Sequence, residues 1–191
     1  MTAEPIPDWF YPPPGGWTVD DLSRLPADAP AFELIDGALI MMSPQTDFHS
    51  VVMRRLANAI EDVVPADEPP LRVVTEMTVR LAKRQGPEPD VLIVNAPRQG
   101  SRTQYLPSEV VLAVEIVSAE SEERDRQTKP FKYAQAGIRH FWRIENEKDK
   151  PVVHTYELDD TTGAYVATGI HRGTLDIAAP FPMTIALDTL Y

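Results

Sequence analysis

Apolar residues recur along this chain with two periods, and the changes between them divide it into elements. After Ser43-Pro44, the residues Val52, Leu56, Ala59, Ile60 and Val63 repeat at three- and four-residue spacing. That spacing predicts one apolar helix face over roughly 16 residues, ending before Pro65. LRVVTEMTVRL alternates as a half-exposed strand does, whereas VLIV and VVLAVEIV are continuously apolar, the pattern of strands covered on both faces. The centre of a sheet is expected there. FELI and ALIMMS flank Asp36-Gly37, a dipeptide suited to the positive φ angles of a type I′ turn, and so predict a hairpin.

Weaker signals fill in the rest. Thr18 with Asp21 three residues on resembles a helix start, and a short helix to about Leu25 follows. NAPRQGSRTQYLPS is a long polar connection. A helix is expected from about Thr128 to Ala136, with Pro130 tolerable only in its first turn and Gly137 at its end. RHFWRIE, PVVHTYEL, a turn near Asp159 to Gly163, AYVATGI, TLDI and MTIALDTL predict further strands, mostly antiparallel because their turns are short. Residues 1–16, rich in proline and aromatic side chains, read as an extended arm that Trp9, Phe10 and Tyr11 could lay over the body or a partner. Residues 17–191 then form a single α/β domain of the α+β kind, with no internal repeat.

Composition narrows the class. A chain of 191 residues and 21.3 kDa buries a core without metal or disulfide staples. It has no cysteine, which excludes disulfides, thiolate chemistry and a cysteine-ligated zinc site. The amino terminus carries acids and prolines instead of a basic region and an apolar core, and no apolar run reaches about 18 residues. A soluble, cytoplasmic protein with no membrane partner is the expectation. The net charge of −11 argues against holding nucleic acid by bulk electrostatics. Its distribution softens that objection, because from Arg80 to Arg143 there are 11 basic residues against 8 acidic ones.

The candidate chemistry lies in that same stretch. Pro89-Asp90 leads into VLIVN, Glu115 sits within VVLAVEI, and Lys129 follows in Asp125-Arg126-Gln127-Thr128-Lys129. Acid, acid and lysine on neighbouring elements are what a metal-dependent nuclease needs: two carboxylates for a hard divalent cation and an ammonium to meet charge developing at phosphorus. Each residue alone has an ordinary explanation, Asp90 as a surface acid at a strand start and Lys129 as a solvated helix residue. Glu115 says more, since a carboxylate within so apolar a run is costly to bury without a partner.

The motifs FELIDG at 32–37, MSP at 42–44 with His49 on the helix after it, PDVLIV at 89–94, VEIVS at 114–118 and DRQTKPFKYAQAGIRHFW at 125–142 carry a resemblance. From about Trp17 to the carboxyl terminus the chain resembles the Uma family of putative restriction endonucleases, within the PD-(D/E)xK nuclease superfamily. The resemblance implies a restriction-endonuclease-like curved mixed sheet flanked by helices, with an N-terminal hairpin and a C-terminal antiparallel extension. It also implies a homodimer and a divalent-metal site at the open end of the sheet. Asp90 would be the first acid and Glu115 the second. The superfamily's usual lysine position, two residues after the second acid, is Val117 here; the D-x-x-x-K arrangement of Asp125 and Lys129 supplies the ammonium from the next helix, as a long stem allows. Glu33 and His49 match supporting positions near the metal, and Tyr133 matches a position of unassigned role. Ala38 and Ala119 depart from the family pattern, which bears on loop shape.

The activity so implied is Mg²⁺-dependent hydrolysis of DNA phosphodiesters, with Mn²⁺ as a substitute ion. Mg²⁺ would be held by Asp90, Glu115 and the carbonyl of Ile116, and Lys129 would stabilise charge at phosphorus. Whether Lys129 or His49 helps deprotonate the water stays open at this stage. So does the alternative of a nuclease-fold nucleic-acid-binding or protein-interaction module that does not cleave.

Overall fold

A computed structural model of the chain describes residues 7–65 and 71–191. Its frame is a six-stranded sheet in the order β10-β9-β8-β7-β5-β3. The strands are β3 (Leu71–Thr75), β5 (Val91–Asn95), β7 (Val110–Ile116), β8 (His140–Glu147), β9 (Lys150–Asp159) and β10 (Ala164–His171). All neighbours are antiparallel except β7 and β8, which run parallel. A parallel pair needs a crossover, and helix α3 (Lys129–Gln135) lies in it. The two continuously apolar segments are β5 and β7. Residues 91–94 are buried throughout, as expected of strands packed on both faces.

One face of the sheet carries Val91, Ile93, Leu112, Val114 and Ile116. It packs against helix α2 (Asp47–Glu61) and the C-terminal pair β11 (Thr174–Ile177) and β12 (Met183–Ala186). Helix α2 matches the predicted periodicity: Val52, Leu56 and Ile60 are fully buried, and the Thr46 hydroxyl caps its start by accepting the His49 amide at 3.2 Å. The other face, with Leu92, Val94, Ala113 and Phe141, meets Tyr133 and Ile138 at and beyond the end of α3.

The hairpin β1 (Phe32–Ile35) and β2 (Ala38–Met41) forms as predicted, with φ of 52° at Asp36 and 78° at Gly37. It is a separate two-stranded unit, docked through a bridge from Leu34 to Gly86. A side chain at Gly86 would collide with Val19, so the close approach needs glycine.

Four expectations change. LRVVTEMTVRL is not one strand: Glu76 takes a φ of 50° and separates β3 from the short β4 (Thr78–Val79). β4 pairs instead with β6 (Gln104–Tyr105), which lies within the segment expected to be a plain connection. Helix α1 spans only Val19–Leu22, although the expected start is present, with both the amide and the hydroxyl of Thr18 donating to the Asp21 carboxylate. The helix expected at Thr128 is preceded by a π-type turn, Arg124–Thr128. In the arm, Asp8–Phe10 forms a 3₁₀ turn that sets Trp9 edge-on to Phe32; residues 1–6 of the arm lie outside the described residues. Among the described residues, no helix is long and apolar enough to cross a membrane.

Leu56 fastens α2 to the sheet, so Leu56→Ala is expected to cost about 2–5 kcal/mol in urea unfolding. Arg54→Ala, on the exposed face of the same helix, is expected to stay within about 0.5 kcal/mol.

Candidate active site

In the β5–β7 ladder Val91 stands opposite Val114. One step further along, Asp90 and Glu115 reach the same end and face of the sheet. Both are buried, Glu115 to 1% exposure. The Asp90 carboxylate accepts the Ile116 amide at 2.6 Å, and its other oxygen lies 3.1 Å from His49 Nε2. Glu115 accepts the Tyr133 hydroxyl at 2.6 Å on one oxygen and the Lys129 ammonium at 3.0 Å on the other.

Lys129 arrives from the first turn of α3. The π turn before it brings Asp125 to 3.2 Å from its Nζ, and the buried hairpin strand β1 brings Glu33 to 3.1 Å. One helical turn beyond, Tyr133 lies beneath Glu115. Burial works against the Lys129 ammonium. The carboxylates of Glu115, Asp125, Glu33 and Asp90 outweigh it and hold the pKa well above the ordinary lysine value. Burial lifts Glu115 well above the usual carboxylate range despite Lys129, and Asp125, Asp90 and Glu33 push it the same way. Asp125 is raised chiefly by burial, with Lys129 opposing. Burial and then the Glu115 carboxylate raise the Tyr133 phenol, so its proton stays on oxygen and is donated.

Every residue proposed from sequence is therefore in one place. Glu33, His49, Asp90, Glu115, Ile116, Asp125 and Lys129 line a cavity of about 190 Å³, and Tyr133 supports it from behind. Among the lining residues that sequence reasoning missed are the charged side chains of Glu88, Glu120 and Arg124. Glu88 stands two positions before Asp90 in the irregular segment ahead of β5 and also lines the cavity; outside a strand, its spacing carries no face signal. Arg124 stands next to Asp125 at the cavity mouth, with Nε 3.3 Å from Glu33; a single arginine in a charged loop carries no sequence signal.

Four buried carboxylates, Glu33, Asp90, Glu115 and Asp125, share this cavity wall with one buried ammonium, and Glu88 and Glu120 line it as well; the excess of acids is what a divalent cation would offset. Glu33 Oε2 and Asp125 Oδ1 are buried without a hydrogen bond, although each lies near the ammonium. Among the described residues no three His, Asp or Glu side chains form a ready-made metal cage. Mg²⁺ in general keeps several waters and takes only one or two protein carboxylates. The Asp90 and Glu115 pair fits such an ion.

No curated protein matches the chain. Among solved structures, its fold is similar to "a putative nuclease belonging to DUF820 from Anabaena variabilis ATCC 29413", with a TM-score of 0.69 and 18% identity, covering 91% of this chain and 96% of that one. At that identity the likeness speaks to the fold. The family Uma2, described as "Putative restriction endonuclease", matches residues 19–189. With most of its length so matched and its buried acids and lysine gathered at one end of the sheet, the chain belongs to the Uma2 family.

Proposed function

We propose that this protein is an endonuclease that hydrolyses DNA phosphodiester bonds with Mg²⁺, using Asp90, Glu115 and Lys129. Residues 17–191 act in this reading as one domain, and the homodimer implied by the family resemblance belongs to the same proposal. The observation that carries it is the burial of two carboxylates on adjacent strand ends with an ammonium brought to them from the next helix.

Asp90, Glu115 and the Ile116 carbonyl would hold the ion. When bound, it supplies Lewis acidity at a phosphate oxygen and a water acidic enough to attack at neutral pH. The protein's own groups do the rest. Ile116 N–H and His49 Nε2 fix the two oxygens of Asp90, and Tyr133 orients Glu115. The surrounding carboxylates hold the Lys129 pKa above the ordinary lysine value, which suits a group that stabilises negative charge at phosphorus. His49 gives Nε2 to Asp90 and keeps Nδ1 without a partner among the described residues, a supporting role beside the first acid.

A second reading, a nucleic-acid-binding module without cleavage, is favoured by one observation. All four carboxylate oxygens of Asp90 and Glu115 already have protein partners.

Cleavage of supercoiled plasmid with Mg²⁺ or Mn²⁺ separates the two. Nicking or linearisation is expected from the wild type, with a loss of at least about a hundredfold in Lys129→Ala and in Asp90→Ala from matched preparations. Undiminished cleavage by both variants refutes the site; silence from all three moves the weight to the second reading.

Ion binding has its own readout. Added MgCl₂ is expected to raise the melting temperature of the wild type and of Lys129→Ala but not of Asp90→Ala. An equal rise in all three removes Asp90 from the ion's ligands.

Glu88 adds a pH dependence in the ion-free protein. Burial, together with the Glu76 and Glu33 carboxylates, raises its pKa to about 7. The folded state therefore holds a proton that the unfolded chain releases near pH 4.5, and stability falls as pH rises from about 4.5 to about 7. In EDTA at pH 8, Glu88→Gln is expected to be more stable than the wild type by up to about 3 kcal/mol, with the gain vanishing below pH 5. A gain independent of pH would show that charge is not its cause.

A further inference from the structure

We propose that Arg124 binds a backbone phosphate next to the one being cleaved, so that the mouth of the cavity grips a nucleic-acid strand at two neighbouring phosphates. The inference rests on the nuclease reading above and adds to it a substrate contact outside the metal and lysine set.

The argument begins with how loosely this guanidinium is held. A charge-assisted hydrogen bond to a carboxylate is about 2.7–2.9 Å long. Arg124 reaches Glu33 only at 3.3 Å, the Glu120 carboxylate at 3.7 Å and the Glu120 carbonyl at 3.5 Å. Its Nε is buried and makes no hydrogen bond. Arg24 and Arg139 are held no more closely, at 3.3 and 3.4 Å from carboxylates, but they do not line the cavity. Arg126 and Arg172 are firmly committed. Arg126 forks onto Glu145 at 3.0 and 2.7 Å and pairs with Glu122 as well. Arg172 forks onto Glu147 at 3.2 and 2.7 Å.

Position supports the same conclusion. Two cations line the cavity, and they differ in access: the Lys129 side chain is 6% exposed and the Arg124 side chain 26%. Lys129 can meet only what enters the cavity, whereas Arg124 meets what passes its mouth. Releasing Glu33 would not strand that carboxylate, because Lys129 stays 3.1 Å from it. The loop leading to Arg124 is itself fixed. The Ser118 and Ser121 hydroxyls lie 2.9 Å apart, and each residue's amide donates to the other's hydroxyl, at 3.1 and 3.2 Å. A planar donor fork with five N–H groups, weakly engaged and set at the start of the π turn, matches the geometry of a phosphate.

The need is also visible. Glu120, Glu122 and Glu123 are exposed on the segment leading to Arg124, and they repel a phosphate backbone. Without a cation at the rim a strand would have no reason to settle there.

The test is binding of a short fluorescein-labelled DNA duplex, followed by anisotropy across a salt series in EDTA, where hydrolysis is not required. Wild type, Arg124→Ala and Arg124→Lys are compared, each with its melting temperature. Loss of one phosphate contact is expected to weaken binding by about tenfold in Arg124→Ala and to reduce the slope of log affinity against log salt by about one. Arg124→Lys is expected to restore the slope and only part of the affinity, since a lysine supplies the charge without the fork. An unchanged slope in Arg124→Ala overturns the inference, whether or not its melting temperature falls, because a residue that merely steadies Glu33 would move stability and leave the slope alone. Absence of duplex binding by the wild type overturns it too. A changed slope in a protein that never cuts plasmid would retain the phosphate contact and reject the nuclease.

Discussion

The ammonium of Lys129 is the hinge of this structure. Removing an ammonium from water costs several kcal/mol, and only close, opposite charge makes the burial tolerable. Here that charge comes from three separate pieces of chain: Glu33 from the hairpin, Glu115 from the central strand β7 and Asp125 from the π turn. Lys129 thus fixes their relative positions as much as they fix its own. The hairpin depends on it most. Its strands pair only with each other, and besides the bridge at Gly86 it is held to α3 by charges, Glu33 to Lys129 and Asp36 to Lys132 at 2.8 Å. The same buried cation therefore also helps to dock an element that does not pair with the sheet.

Such an arrangement is overloaded with negative charge by design of its position, and the sheet is what tolerates it. Three carboxylates surround one ammonium, yet only Glu115 receives a well-formed hydrogen bond from it. The destabilisation is borne by apolar packing on both faces, where Val91 to Val94 and Leu112 to Val114 are fully buried. Placing the acids where the strands end, instead of in their middle, lets backbone and side-chain donors reach them: the Ile116 amide, His49 and Tyr133.

Much of this is legible in the sequence, for reasons that differ by element. Helix α2 and the central strands are dictated by long, consistent apolar periodicity, which tertiary context does not override. The hairpin follows from a dipeptide whose backbone preference is nearly unique. The break at Glu76 was not legible. A glutamate at positive φ has no intrinsic reason to be there, and the kink comes from β4 leaving the sheet to pair with β6, a long-range choice. The π turn is similar, since nothing in RDRQT distinguishes it from an α-helical start. For the candidate site, one carboxylate in an apolar run gave Glu115 away and the motifs supplied its companions. Glu88 and Arg124 stayed hidden because their significance lies in what surrounds them: a residue's spacing can announce its face, but not how poorly its charge is satisfied.

That last point bears on how an acidic protein could handle an acidic polymer. With a net charge of −11 the long-range field opposes a nucleic acid, so affinity has to be generated at contact distance, within a Debye length of about 8 Å at physiological salt. The cations available there are few, and most are already engaged: Lys129 is enclosed by acids, Arg126 is paired and Lys132 holds the hairpin. A strand would therefore be recognised by a small number of directed contacts at the cavity mouth and not by a basic surface. On the proposed nuclease reading, selectivity would reside in whether a phosphate can reach the buried acids at all, and the segment from Ser118 to Arg124, together with the hairpin, lines the way to them.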